Sequence, residues 1–261
     1  MSNDIYSWQR RFRLANEKSA LLSVLIGSWI TSSGYVPVGN QSKGKRVITF
    51  RASAKNEPDY ISAGLLFGEL THALRSILDN IAYSLVTQTD SSQRHNRHIS
   101  YPIFDQESKF NDNVNIQLPG ISGELLALIK STQPFVKSPH NPQEDPLFLL
   151  HQADIWDKHR VPVVCSLIPN TFSYSFMGDI SKINNTEEEI RVWISTEPVT
   201  TGAVVAKLKF RRPFQRGFTV RASSELQFKV VIEENYYSIK QISESMSTSV
   251  SDIINQIAGR T

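Results

Sequence analysis

The chain has 261 residues, of which 40% are hydrophobic and 20% charged. That is enough apolar material for a sizeable core, and it excludes global disorder. One cysteine, Cys165, excludes an intramolecular disulfide and fits a reducing, cytoplasmic setting. A net charge of +3 excludes no partner class, so where the charge sits matters more than its sum.

The opening stretch "MSNDIYSWQRRFRLANEK" lacks the charged-then-apolar pattern of a signal peptide. The run "ALLSVLIGSWI" is about half the length a bilayer requires, so no membrane span is expected. Apolar and small residues recur at Ile5, Trp8, Phe12, Ala15, Ser19, Leu22, Ile26 and Trp29. This alternating three-four spacing predicts one long helix over roughly residues 3 to 30, ended by "SSGY". Residues 35 to 56 read as a hairpin, "YVPV" and "RVITFRA" flanking the polar loop "GNQSKGK". A second helix is expected from Pro58 or Asp59 to about Val86, with Leu66, Leu70, Leu74, Ile77, Ile81 and Leu85 on one face.

Residues 87 to 100 carry no periodicity and read as a polar loop, followed by "YPIF" as a short extended piece. "GELLALIKSTQPF" predicts a third, short helix stopped by Pro134, and "KSPHNPQE" a proline-rich loop. Asp145 reads as an N-cap with Pro146 at the first helical position, opening a helix that ends before Pro162. Beyond it, "VPVVCSLI", "TFSYSF", "EIRVWIS", "VVAKLKF", "FTVRA" and "ELQFKVVIE" are β-branched or aromatic runs separated by turn residues, predicting five or six antiparallel strands. An amphipathic helix near 238 to 258 closes the chain. The expected class is α+β: a helical part over 1–160 carrying the hairpin at 35–56, then an antiparallel β-rich part over 161–261 with its C-terminal helix.

Within the second helix, "GELTHALRSILDN" places His72, Arg75 and Asp79 three and four residues apart, on the side away from the leucines. One reading is an intrahelical Arg75–Asp79 pair on a half-buried face. The other is a stripe covered by a second element, its charges paired because an unpaired buried charge is costly. "DIWDKHR" offers a partner, with Asp157, His159 and Arg160 as candidate binding residues. Basic residues at a helix C-terminus also complement its dipole, so an exposed helix end is the plain alternative.

The segments "GELTHALRSILDNIAYSLV", "YPIF", "QPF" and "DPLFLLHQADIWDKHR" resemble an ordered motif set in a family of uncharacterised bacterial proteins, covering roughly residues 60 to 162. The family pattern is similar to Gly-Asp-x-x-His-Asn-Leu-Arg-Ser-x-Leu-Asp-His followed by Asp-Lys-His-Arg. It supplies positions rather than chemistry. More loosely, an arginine, four residues and a histidine on a helix resemble the signature of HEPN-type ribonucleases. That resemblance implies a helical fold, a site built across a homodimer, and cleavage of RNA without metal through the ribose 2′-hydroxyl. Arg75 matches the arginine, whereas Asn80 stands where the histidine belongs and cannot exchange a proton near neutral pH. The catalytic candidates on this reading are His72, Arg75, Asp79 and Asn80.

No cofactor is expected: phosphate loop, nucleophile elbow, zinc motif and dinucleotide fingerprint are all missing from the sequence. Two arginines near His72 and His159 argue against a metal. From Pro198 to Ser224 the sequence contains no acidic residue, and strand alternation sets Lys207, Lys209 and Arg211 on one face. They read either as an outward sheet face made soluble by lysine, an edge strand protected from aggregation being one form of it, or as a backbone-binding surface for nucleic acid. The leading expectation is an RNA-binding or RNA-cleaving protein in a defence or toxin-like setting. Its competitors are a non-catalytic binding protein with a structural His/Arg/Asp network, and a sensor in which Arg75 and Arg160 grip an anionic small molecule or nucleotide.

Overall fold

The computed structural model describes residues 2–159 and 165–259. Helix α1 spans Ser2–Ser33, and its three-four seam is the side that faces inward: Trp8, Ala15 and Leu22 are buried, while Ile5, Phe12 and Ser19 are half-buried. After it come β1 (Val36–Gln41) and β2 (Val47–Ser53), then α2 (Tyr60–Thr89). Helices α3 (Glu107–Gln117), α4 (Gly123–Ser131), α5 (Pro134–Lys137) and α6 (Pro146–His159) follow. Strands β3 (Cys165–Gly178), β4 (Ile190–Ile194), β5 (Val204–Phe210), β6 (Phe218–Ile232) and β7 (Asn235–Ser238) precede the last helix, α7 (Ile239–Ala258). The class is α+β, as the sequence patterning predicts.

Contacts within the chain divide it into two units. One comprises Met1–Ser23, Ile61–Val164 and Val230–Thr261, the other Val24–Tyr60 and Cys165–Lys229. This grouping differs from a boundary at residue 160. The reason for the hairpin is its pairing: β2 is hydrogen-bonded to β5 as well as to β1, so residues 36–53 complete a sheet that later strands begin.

In the first unit α2 is buried around much of its circumference, through Phe67, Leu70, Leu74, Ile77, Leu78, Ile81 and Leu85. Fully burying one such side chain stabilises by roughly 1.5–3 kcal/mol before entropy is counted. Helix α6 adds Leu147, Leu149, Leu150 and Ala153 and packs against α7, which buries the stripe Ile242, Met246, Val250 and Ile253. Asp145 caps α6 as its sequence implies: Leu147 N donates to Oδ1 at 2.9 Å, and Ser138 Oγ donates to Oδ2 at 2.8 Å. Pro134 does more than stop α4, for it sits in the first turn of α5. Helix α3 is an addition to the sequence reading. Its inward face is only Phe110 and Val114, too sparse a pattern to announce a helix.

The second unit packs two sheets face to face. One has the order β1-β2-β5-β4, and the other is built on β3 and β6. Phe50 of β2 meets Phe172 of β3 at 5.0 Å, and Phe176 of β3 meets Phe210 of β5 at 6.2 Å, so the inner faces share an aromatic core. Strands β3 and β6 each merge two predicted runs. The "PN" of Pro169-Asn170 reads as a turn in sequence, yet β3 continues through it, and Asn170 and Thr171 reach across to Glu225. Within the same unit the end of α1 is fixed by Trp29, which packs edge-on against Tyr35 at 5.4 Å and donates Nε1–H to the Asn56 carbonyl at 3.0 Å. Glu57 gathers the Tyr35 hydroxyl, the Thr201 hydroxyl and the Thr201 N–H on one carboxylate. Partial burial pushes its pKa up, but these donors outweigh burial and hold it below the usual glutamate value.

Candidate functional site

Two groups of residues merit attention, one in each unit. On α2, the stripe His72, Arg75, Asp79 serves two different sets of partners. His72 Nδ1 lies 3.0 Å from Asp154 Oδ1 on α6. The imidazole side chain is 56% exposed while the carboxylate is 5% exposed, so a buried anion orients a ring that faces solvent. Arg75 turns the other way. Its side chain is 7% exposed, and Nη2 lies 2.8 Å from Asp79 Oδ1 and donates to the Tyr101 carbonyl at 2.8 Å. Tyr101 N–H in turn donates to Asp79 Oδ1 at 3.0 Å. The ion pair thus clamps both polar groups of one buried peptide residue.

That residue opens the "YPIF" segment, which is assigned no strand. Buried backbone without a ladder must find its hydrogen bonds among side chains. Gln133, fully buried, supplies two of them: Nε2–H donates to the Pro102 carbonyl at 2.8 Å, and Oε1 accepts from Phe104 N–H at 3.2 Å. The Tyr101 hydroxyl pairs with Thr132 Oγ1 at 2.8 Å. Burial pushes the Tyr101 phenol well above its ordinary pKa, against the lowering influence of Thr132 and Arg75. Arg75, Asp79, Tyr101, Pro102, Phe104 and Gln133 thus form one set of hydrogen bonds around "YPIF", and His72–Asp154 is a separate link from α2 to α6.

Of the catalytic candidates, Arg75 and Asp79 come together around Tyr101, and His72 points away toward α6. Asn80 folds back on its own helix, donating Nδ2–H to the Ser76 carbonyl at 2.6 Å. Asp157 and His159 belong to the last turn of α6, whose side chains lie outside the described part, and Arg160 lies outside the described residues. The partner segment expected in "DIWDKHR" meets the stripe at Asp154, through His72, whereas sequence reasoning missed Tyr101, Thr132 and Gln133 as partners. Asp154 stood in the motif already, three residues before Asp157. Nothing in the local sequence marks Gln133, whose role is to satisfy a distant backbone.

The second group lies on the four-stranded sheet. The alternation expected in β5 holds: Ala206, Leu208 and Phe210 are buried, Lys207 is half-buried and Lys209 is exposed. The strand is not an edge. It pairs with β2 on one side and β4 on the other, so its lysines protect no edge, and a solubilising outward face is the plain alternative to binding. Direct cross-strand partners share a face. Thr49, Lys207 and Trp193 form one row, and Val47, Lys209 and Arg191 the next. Arg51 of β2 is also exposed and donates to the Gly202 carbonyl at 2.8 Å. None of the four strands contains an aspartate or glutamate. Trp193 is 44% exposed on this cationic face, with Lys207 Nζ 5.1 Å from its ring centroid.

Arg211, just past β5, is less available. It and Arg212 both reach Glu189 Oε1, at 3.4 and 3.3 Å, in the lining of an open cleft of about 910 Å³ that also presents Asn184, Asn185 and Thr186. Two arginines share the Glu189 carboxylate there, and Glu188 also lines the cleft, so its charges balance. The alternation of "EIRVWIS" could have placed Arg191 and Trp193 on one face. Their position beside the lysines depends on strand order, which local sequence does not carry.

Other reactive groups are quiet. Burial pushes the Cys165 thiol up to about 12, far from a reactive thiolate. Among the described residues no three His, Cys, Asp or Glu side chains gather as metal ligands, and no helix is long and apolar enough to cross a membrane. Compared with known proteins, the chain matches no family model, no curated protein and no solved structure.

Proposed function

We propose that the protein binds nucleic acid, RNA foremost, through the outward face of the four-stranded sheet, and that the Arg75–Asp79 network is structural. The observation that carries this reading is the grouping of cations across β2, β5 and β4, with no acid in those strands and an exposed indole beside Lys207. Lys207 and Lys209 occupy the middle of a sheet, flanked by Arg191 and Arg51, where lysine has no edge to protect. An outward row of cations without interspersed acids is what a phosphate backbone requires. The test is binding of a fluorescent oligonucleotide at increasing salt. Each phosphate contact contributes about 0.7 to the logarithmic salt slope on a single strand. The K207A/K209A/R211A variant is expected to lower that slope by roughly 1.5 to 2, Arg211 contributing least because it already faces Glu189, which it shares with Arg212. Binding that persists with an unchanged slope would leave the lysines without this role.

Metal-independent RNA cleavage is a second reading, favoured by one observation: His72 faces solvent with its ring oriented by the buried Asp154 carboxylate. Such a pair suits proton transfer at a ribose 2′-hydroxyl. Arg75, turned inward to Asp79 and Tyr101, does not reach the same side. On this reading, RNA incubated in EDTA would end in 2′,3′-cyclic phosphate, and His72→Ala would abolish the product. Intact RNA with the wild-type protein counts against it.

A further inference from the structure

We infer that the nucleic acid taken by this face is single-stranded, and that Trp193 stacks on one of its bases. The inference rests on the binding proposed above and adds the class of strand and the residue that selects it. Cross-strand pairing places Trp193 beside Lys207 on the outward face, and the indole is 44% exposed. The ammonium of Lys207 sits 5.1 Å from the ring centroid, so the electron-rich face of the indole is approached by a neighbouring cation. A nucleobase is a better occupant of that face, because it covers the whole ring and removes apolar surface from water. On stacking, the flexible Lys207 ammonium moves off the ring to a phosphate of the same strand. Lys209, one residue pair along β5, lies roughly 7 Å further on, and Arg191 is paired directly beside it. Stack and cations thus run side by side along the sheet.

The same geometry disfavours duplexes. In a double helix the base faces are covered by their neighbours and only base edges reach the grooves. The face of a four-stranded sheet is too broad to enter either groove, so a duplex gains phosphate contacts alone. A single strand gains those contacts and the stack. Stacking and phosphate contacts read no particular base, so little sequence preference is expected.

The test compares single strands with duplexes of equal length by fluorescence anisotropy, using poly-uridine RNA and poly-thymidine DNA as separate single-stranded arms. Wild type should bind at least one single strand more than tenfold tighter than duplex at moderate salt. Trp193→Ala should weaken single-strand binding by roughly tenfold to a hundredfold, the range that one base–aromatic stack supplies, while duplex binding stays unchanged. Trp193→Phe should stay within a few fold of wild type. Lys207→Ala should lower the salt slope by about 0.7 and keep the preference for single strands, which serves as the check if Trp193→Ala loses its fold. Equal affinity for single strands and duplexes, or a Trp193→Ala variant that binds single strands as wild type does, overturns the inference while leaving the proposed binding intact. No binding of any nucleic acid by the wild type overturns both.

Discussion

The α2 network and the β5 face are built from the same kinds of residue and differ in what surrounds them. Arg75 is buried, and its guanidinium reaches protein partners, the Asp79 carboxylate and the Tyr101 carbonyl. Lys207 and Lys209 lie on an outward face with no acid in their own or the neighbouring strands. A buried cation bonded to protein groups holds the fold together. One that faces water beside other cations adds little to stability and is available to an anionic partner. Residue type and spacing alone do not separate these roles; burial does.

The comparison breaks first at Arg75. Removing it leaves the Tyr101 carbonyl buried without its donor and strips Asp79 of its ion pair. Asp79 is 37% exposed, so water offsets part of the loss. Arg75→Ala is expected to destabilise the protein by about 2–4 kcal/mol, read by urea denaturation, with oligonucleotide affinity of the folded fraction unchanged. A variant as stable as wild type would remove the structural role assigned to the pair.

His72 sharpens the comparison because it stands between the two cases, exposed itself but bonded to a buried partner. His72→Ala is expected to cost about 1 kcal/mol, less than Arg75→Ala, since a solvent-facing ring contributes little beyond one charge-assisted hydrogen bond. A loss equal to that of Arg75→Ala would place His72 inside the same network. The smallest stability effect belongs to K207A/K209A/R211A, within about 0.5 kcal/mol of wild type, although its binding falls.

Much of this was readable in the sequence where local chemistry decides. The heptad seam of α1, the Asp145–Pro146 start of α6, the alternation in β5 and the amphipathic α7 all depend on periodicity or a cap within a few residues. The pairing of Arg75 with Asp79 was readable for the same reason, being an i,i+4 contact. Contacts distant in sequence were not. Nothing near Gln133 says that it will satisfy Pro102 and Phe104, and nothing in "EIRVWIS" says that its strand will lie beside "VVAKLKF". Strand order converts two separate runs into one cationic face, and it also moved the hairpin into the sheet of the second unit. The fold class was therefore legible from patterning, while the sheet site needed topology.

Where nucleic acid touches the chain can be read directly by photo-crosslinking. A single-stranded RNA carrying 4-thiouridine, bound to the wild-type protein at low salt, is irradiated and the attached peptides are mapped by mass spectrometry. Adducts are expected in residues 47–53, 190–194 and 204–210, with Trp193 among the modified side chains, and none in residues 68–80. Adducts confined to residues 68–80 and the α6 segment, with the sheet peptides unmodified, would contradict the assignment of binding to the sheet and of Arg75 to the fold.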